Sequence, residues 1–294
     1  MNEIHTAQSS ADRFVRVVPP QAWFGVSAVF HYLGPSFAVL LFPAVGVLGV
    51  AWLRIASAAL LFAPLTRPWR SLMRTDGRSR WRLLALGACL AMMNCCFYLA
   101  LARLPISLVA AIEFVGSIAL ALYGLRTSRN VLALALAVLG VFILIKVRWS
   151  SDPLGLVWAF LNGALFMIYV ILGHRIAQSG AGAGIERLGA AMAIAFVVVF
   201  PIGALEAAKA FAHPVLILAG IGVGICSSVI PYICDQFAMS RLPRASFALL
   251  LTLLPASATI MGAMVLAQIP SSRDLVGIAL VMAGVALHRP VNAD

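Results

Sequence analysis

The sequence predicts an all-α integral membrane protein: ten transmembrane helices arranged as two inverted five-helix repeats. Three observations predict it. Of the 294 residues, 63% are hydrophobic and 11% charged, with a mean hydropathy of +1.02, where soluble domains carry charge on about a quarter of their residues. Apolar runs of roughly 17 to 24 residues follow one another, each long enough to cross about 30 Å of hydrocarbon as a helix. Finally, ARLP at 102–105 returns as SRLP at 240–243, 138 residues on, each joining two apolar runs. The alternation a membrane barrel requires is not seen.

Residues 1–21 carry Glu3, Asp12, Arg13 and Arg16 with no apolar run before Pro19-Pro20. They read as a polar cytoplasmic tail and not as a cleavable signal. Helices are expected at about 22–43, 46–65, 82–102, 105–125, 130–147, 153–176, 187–206, 214–239, 244–267 and 273–289. Pro43, Pro64, Pro105, Pro153, Pro214, Pro243 and Pro270 fall at or near their ends, where a missing N–H does least harm. The first repeat is 22–148 and the second 153–289, joined near Trp149 to Pro153. An odd number of helices per repeat puts the two RLP corners on opposite faces, the inverted plan of many secondary transporters.

The net charge of +11 reads as topology and not as a nucleic-acid surface, because the basic residues lie in the short gaps between apolar runs. With a cytoplasmic N-terminus, fifteen fall inside: Arg13, Arg16, Arg67, Arg70, Arg74, Arg78, Arg80, Arg82, Arg126, Arg129, Arg175, Arg187, Arg241, Arg244 and Arg289. Five fall outside: Arg103, Lys146, Arg148, Lys209 and Arg273. That asymmetry predicts both termini in the cytoplasm. Trp69 and Trp81 flank the richest basic stretch as interfacial anchors. The five cysteines sit within apolar runs as small packing residues, without metal-ligand spacing.

Polar groups at membrane depth are the candidate site. Asn94 precedes the first corner by about eight residues and Glu113 follows it by about eight, which places both some 12 Å inside the same face. Arg54 lies at a similar depth in the second helix. Charges there are costly and mark function or pairing. Arg54 and Glu113 read equally as a structural ion pair or as two groups facing a cavity, since a buried pair is a poor source of stability alone. Asp235, roughly 9 Å from the opposite face, is a candidate proton or gating group. Tyr98 and Gln236 offer hydrogen bonds beside Asn94. His31 and Tyr32 in helix 1 occupy places comparable to Asn162 and Tyr169 in helix 6, although a lone histidine more often bonds a neighbour. Glu206, near the outer end of helix 7, reads as solvated. In the 138-residue register Asn94 matches Tyr232, Phe97 matches Asp235 and Glu113 matches Leu251.

The stretches LFPAVGVLGVAWLRIASAALLF (41–62), MMNCCFYLALARLPISLVAAIEFVGS (92–117) and PYICDQFAMSRLP (231–243) resemble the drug/metabolite transporter superfamily. They are most similar to EamA-type ten-helix exporters, the bacterial threonine/homoserine exporters in particular. The resemblance implies a bacterial inner-membrane transporter that exports small amino acids or related metabolites by alternating access, driven by the proton gradient and needing no cofactor. It implies a site of Arg54, Asn94, Glu113, Tyr232 and Asp235, with Glu113 and Asp235 handling the proton. Tyr98, His31, Asn162 and Tyr169 complete the candidate lining. Gln268 stands where the family usually closes helix 9 with an acidic residue, and Ser117 where a proline is common.

The expected partners are a small-molecule substrate and the lipid bilayer, with the chain a monomer or a homodimer. Alternatives within transport are a drug exporter or an exchanger of larger metabolites, whose substrates need several deep cations where the sequence offers Arg54. A non-transporting scaffold has little loop surface to work with. No nucleophile with its base, no metal cluster and no phosphate-cradling loop is recognisable, so an enzyme is not expected.

Overall fold

The computed structural model describes residues 18–74, 76–124, 127–146, 152–177, 181–239 and 253–287, and these are helical nearly throughout, with no strand among the described residues. Helix α1 (Pro20–Val45) begins on a proline, whose missing N–H is harmless in a first turn. Gly46, at φ 97°, separates it from α2 (Val47–Thr66), a backbone conformation that glycine adopts without penalty. Left-handed Arg67 ends α2. The short helix α3 (Pro68–Arg74) then leads to α4 (Gly77–Leu101), whose N-cap Asp76 accepts from the Ser79 N–H. The Ala102–Pro105 corner turns the chain into α5 (Ile106–Gly124), followed by α6 (Ser128–Lys146).

Asp152 caps the next helix, α7 (Pro153–Ala177), accepting from the Gly155 N–H at 2.9 Å. Helix α8 (Ala181–Ala207) passes through a 3₁₀ turn at Ala208–Ala212 into α9 (Pro214–Gly224). A π-helical segment, Ile225–Val229, links α9 to α10 (Ile230–Met239). Helices α11 (Leu253–Leu266) and α12 (Ser272–Leu287) complete the described chain. Among the described residues five helical stretches are long and apolar enough to cross a membrane, one of them running through α9, the π segment and α10. Large apolar side chains such as Leu60, Leu205, Val215 and Ile269 stand exposed on the outside of the bundle. In water that surface would be untenable; against lipid it is expected. The protein is a multi-pass membrane protein.

The expected helices and the observed ones differ mainly at charged ends. Helix α4 starts at Gly77 and not at 82, and α8 at Ala181 and not at 187. Hydropathy locates the hydrocarbon, whereas a helix continues into the headgroup layer wherever its backbone can be capped. Helix α3, in the basic stretch, was not expected for the same reason. The eighth expected helix is present as α9, the π segment and α10. The second RLP corner, Leu251, and residues 1–17 lie outside the described residues.

The helices pack across the two halves of the chain. Helix α2 lies along α8 and α9, α4 along α7 and α8, and α1 against the π segment, α10 and α11. Helix α5 meets α6, α7 and α11, while α6 pairs with α12. Glycines set the close approaches. A Cβ on Gly203 would meet the Leu48 carbonyl and Trp52, one on Gly189 would meet Thr66, and one on Gly140 would meet the backbone at Gly277. Such small-residue seams let backbones touch where no hydrophobic effect drives helices together.

Candidate functional site

Arg54 is the eighth residue of α2 and Glu113 the eighth of α5, so both lie roughly 11 Å from helix ends at the face that carries the Arg103 corner. Both are buried, at 7% and 8% exposure, and they stand within electrostatic reach of each other. The hydrogen bonds of the guanidinium run elsewhere. Its Nε donates to the Ser228 hydroxyl and its Nη2 to the Ser227 carbonyl, each at 3.2 Å. The ring of Tyr98, from α4, lies under it with 5.5 Å between guanidinium carbon and ring centroid, within cation–π range. Arg54 is thus tied to the π-helical segment and to α4. The sequence leaves Arg54 and Glu113 as a structural pair or as two groups facing a cavity, and both readings need the electrostatic neighbourhood seen here.

Around this pair the chain gathers most of the expected residues. Tyr32, wholly buried on α1, is within electrostatic reach of Glu113, and the His31 ring beside it packs edge-on at 5.3 Å and faces Arg54. Tyr232 on α10 neighbours Arg54, Glu113 and Asp235. Asn162 on α7 is buried and faces Glu113, where Gly163 brings the α7 backbone against the Glu113 Cα. Tyr98 Oη and Ser227 Oγ, both in this region, are buried without a hydrogen-bond partner among the described residues. A buried polar atom left unpaired costs about 1–3 kcal/mol, so a ligand able to pair with these atoms would recover that energy.

Toward the other end a second polar group forms. Asp235 is half-buried and faces the Ser27 hydroxyl on α1, which donates to the Pro231 carbonyl at 3.4 Å. Tyr169 of α7 neighbours Tyr232, Asp235 and Cys89. Asn94 stands apart. It is buried, but its Nδ2 donates back to the Leu90 carbonyl of its own helix at 2.8 Å. The side chain of Gln236 lies outside the described residues. Among the described residues there is no group of His, Cys, Asp and Glu able to hold a metal ion.

Some polar contacts were not foreseen. Glu206 is not simply solvated: its Oε2 accepts the Gly49 N–H at 2.9 Å, near the start of α2, as a carboxylate should at a helix N-terminus. Gly46 and Gly49 leave it room, since a Cβ on either would collide with it. Gln268 accepts the Ile106 N–H at 3.1 Å and so caps α5. Arg103 pairs with Asp152 at 3.4 Å near the same face. Ser227 and Ser228 were missed at the centre. Their signal in the sequence was present, a serine pair inside an apolar run three residues before Pro231.

Comparison with known proteins gives consistent results. Residues 153–288 match the EamA-like transporter family. The threonine/homoserine exporter RhtA of Escherichia coli (strain K12) is 34% identical over 253 residues, spanning 85% of this chain and 84% of that protein. The exporter of the same name from Salmonella typhimurium (strain LT2) is 32% identical over the same span. A solved crystal structure, described only as that of a protein, matches 90% of this chain and 96% of its own at a TM-score of 0.56 and 18% identity. At that identity the likeness concerns the fold alone.

Proposed function

The chain belongs to the EamA-like transporter family, within the drug/metabolite transporters, and on that premise we propose that it exports small amino acids from the bacterial cytoplasm by proton-coupled alternating access. The observation that carries the reading is one buried cation and one buried carboxylate at matching depth, with Asn162 and a Tyr98 Oη that has no partner among the described residues beside them. A zwitterion fits that arrangement. Its carboxylate meets the remaining donors of Arg54, a side chain with five N–H groups of which two serve Ser227 and Ser228. Its ammonium meets Glu113, and the tyrosine and asparagine hydrogen-bond its remaining polar atoms. The exporters that resemble this chain are named for threonine and homoserine, and those two are the first substrates to test.

In this reading Glu113 and Asp235 carry the proton. A proton on Glu113 removes the charge that holds the ammonium, releases the substrate and allows the empty carrier to return. Asp235, beside Tyr232 and Ser27, is the group that passes the proton toward the opposite face. The two halves act as inverted repeats, 22–148 and 153–289, that rock against each other. Interhelical contacts support this. Under exchange of the halves, the α4–α7 packing maps onto α1 against the π segment and α10, α5–α7 maps onto α11–α1, and α2–α8 and α6–α12 map onto themselves. In this reading both termini lie in the cytoplasm, which the excess of basic residues on that side supports.

The test is flux into proteoliposomes holding the purified chain. Labelled L-threonine or L-homoserine should move faster under an imposed proton gradient than without one, and neither should move in protein-free vesicles. Flux of neither amino acid at any gradient would exclude the proposed substrate class.

A further inference from the structure

The π-helical segment at Ile225–Val229 interrupts a helix that would otherwise run unbroken from Pro214 to Met239. Its cause is legible. In an α-helix the Ser227 carbonyl would accept from the residue four positions on, which is Pro231, and proline has no N–H to give and crowds that carbonyl. The ladder widens, with Ile230 N–H bonding the Ile225 carbonyl five residues back. The vacated Ser227 carbonyl accepts Arg54 Nη2, and the next hydroxyl, Ser228 Oγ, accepts Arg54 Nε. Two glycines let the neighbours close in. A Cβ on Gly34 of α1 would run into Ser227, and one on Gly224 would meet Ser57 and the Arg54 carbonyl. π-bulges of this kind concentrate at functional sites.

We propose that the break at Pro231 is a positioning device for Arg54, with the Ser227 carbonyl and Ser228 hydroxyl fixing the guanidinium so that its free edge meets the substrate carboxylate. Ser228 and Pro231 are positioning residues that set affinity for the carboxylate end of the substrate. The inference rests on the reading of Arg54 as the carboxylate-binding group. A flexible arginine facing an unbroken helix would have to be ordered each time substrate binds, and that ordering weakens binding. Here the ordering is already done by the fold.

The test compares wild type, Ser228→Ala, Ser228→Thr and Pro231→Ala in proteoliposomes carrying L-homoserine. Ser228→Ala should raise KM roughly tenfold, the worth of one hydrogen bond to a charged group, with a much smaller change in maximal rate. Ser228→Thr keeps the hydroxyl and should restore KM to within about twofold, while inhibition by 3-aminopropan-1-ol, which lacks the carboxylate, should be unchanged across the set. Equal KM in wild type and Ser228→Ala, or an equal loss of affinity for the amine, overturns the proposal. A second measurement separates this outcome from failure of the proposed function. If wild type carries neither amino acid, labelling of Arg54 by phenylglyoxal is followed by peptide mapping. Labelling several-fold faster in Ser228→Ala and Pro231→Ala supports the positioning role, and equal labelling in all four proteins overturns it.

Discussion

Tyr98 shows how a single side chain serves two ends. Its ring supports the Arg54 guanidinium while its hydroxyl, wholly buried, has no partner among the described residues. If that hydroxyl exists to meet substrate, Tyr98→Phe should weaken binding of L-threonine five- to tenfold yet leave thermal stability equal or higher, because an unpaired buried donor is removed. A melting curve and a KM from the same preparation check both halves, and a destabilised variant with unchanged KM would count against the role. Glu113→Gln keeps the size of the side chain and abolishes its titration. It should abolish the stimulation of efflux by a proton gradient; unchanged stimulation would remove Glu113 from the coupling. Asp235→Asn should slow the coupled rate with less effect on substrate affinity, since Asp235 sits among Ser27, Tyr232 and Tyr169 while Arg54 is held by Ser227 and Ser228. Candidate residues of this kind were legible in the sequence because a charge within an apolar run has few explanations. Their partners were not. The sequence offered Arg54 and Glu113 as a pair or as two cavity groups, but it gave no sign of the hydrogen bonds of Arg54 to two serines 173 and 174 positions away.

At the scale of helices, two seams decide how closely the elements approach. Along the first, α2 and α8 lie antiparallel from the Gly49–Ala207 contact to the Thr66–Gly189 contact, with Gly203 between. Glu206 adds a carboxylate at the start of α2. Glu206→Ala removes that cap and should cost on the order of 1 kcal/mol, read as a melting point lower by a few degrees in detergent. The second approach is that of α1 to the helix break. Gly34→Ala would drive a methyl into Ser227, and overpacking of this kind typically costs about 1–3 kcal/mol. Because the displaced residue carries the carbonyl that Arg54 uses, transport should fall further than stability. Helix existence was readable from hydropathy and proline placement. Ends in the charged layers, the small helix α3 and the glycine contacts were not, since each depends on a neighbour in space that a linear pattern does not contain.

For the whole molecule, alternating access requires the two halves to move as bodies about the central site. The sequence-derived orientation makes a simple prediction: an alkaline phosphatase fusion at the C-terminus should be inactive and a fluorescent-protein fusion bright, as for a cytoplasmic end, and the reverse result would invert the topology. Cells overproducing the chain should tolerate several-fold more external L-threonine or L-homoserine than control cells, a growth assay that reads export without purification.

Composition alone determined that this chain lives in a membrane, because no water-filled surroundings could accommodate so much apolar surface. Length and proline spacing determined its helices, since a bilayer fixes how many residues a span needs. The rarity of charge at depth determined Arg54, Glu113 and Asp235 as the residues to watch. Only the tertiary structure decided which of them meet. Hydrogen bonds between helices reach about 3 Å and join positions more than a hundred residues apart, and no periodicity along the chain encodes that. Nor could the run from Pro214 to Met239 announce by itself that Pro231 opens its ladder toward an arginine on another helix, because a proline states what a backbone lacks and only the packed neighbour states what supplies it.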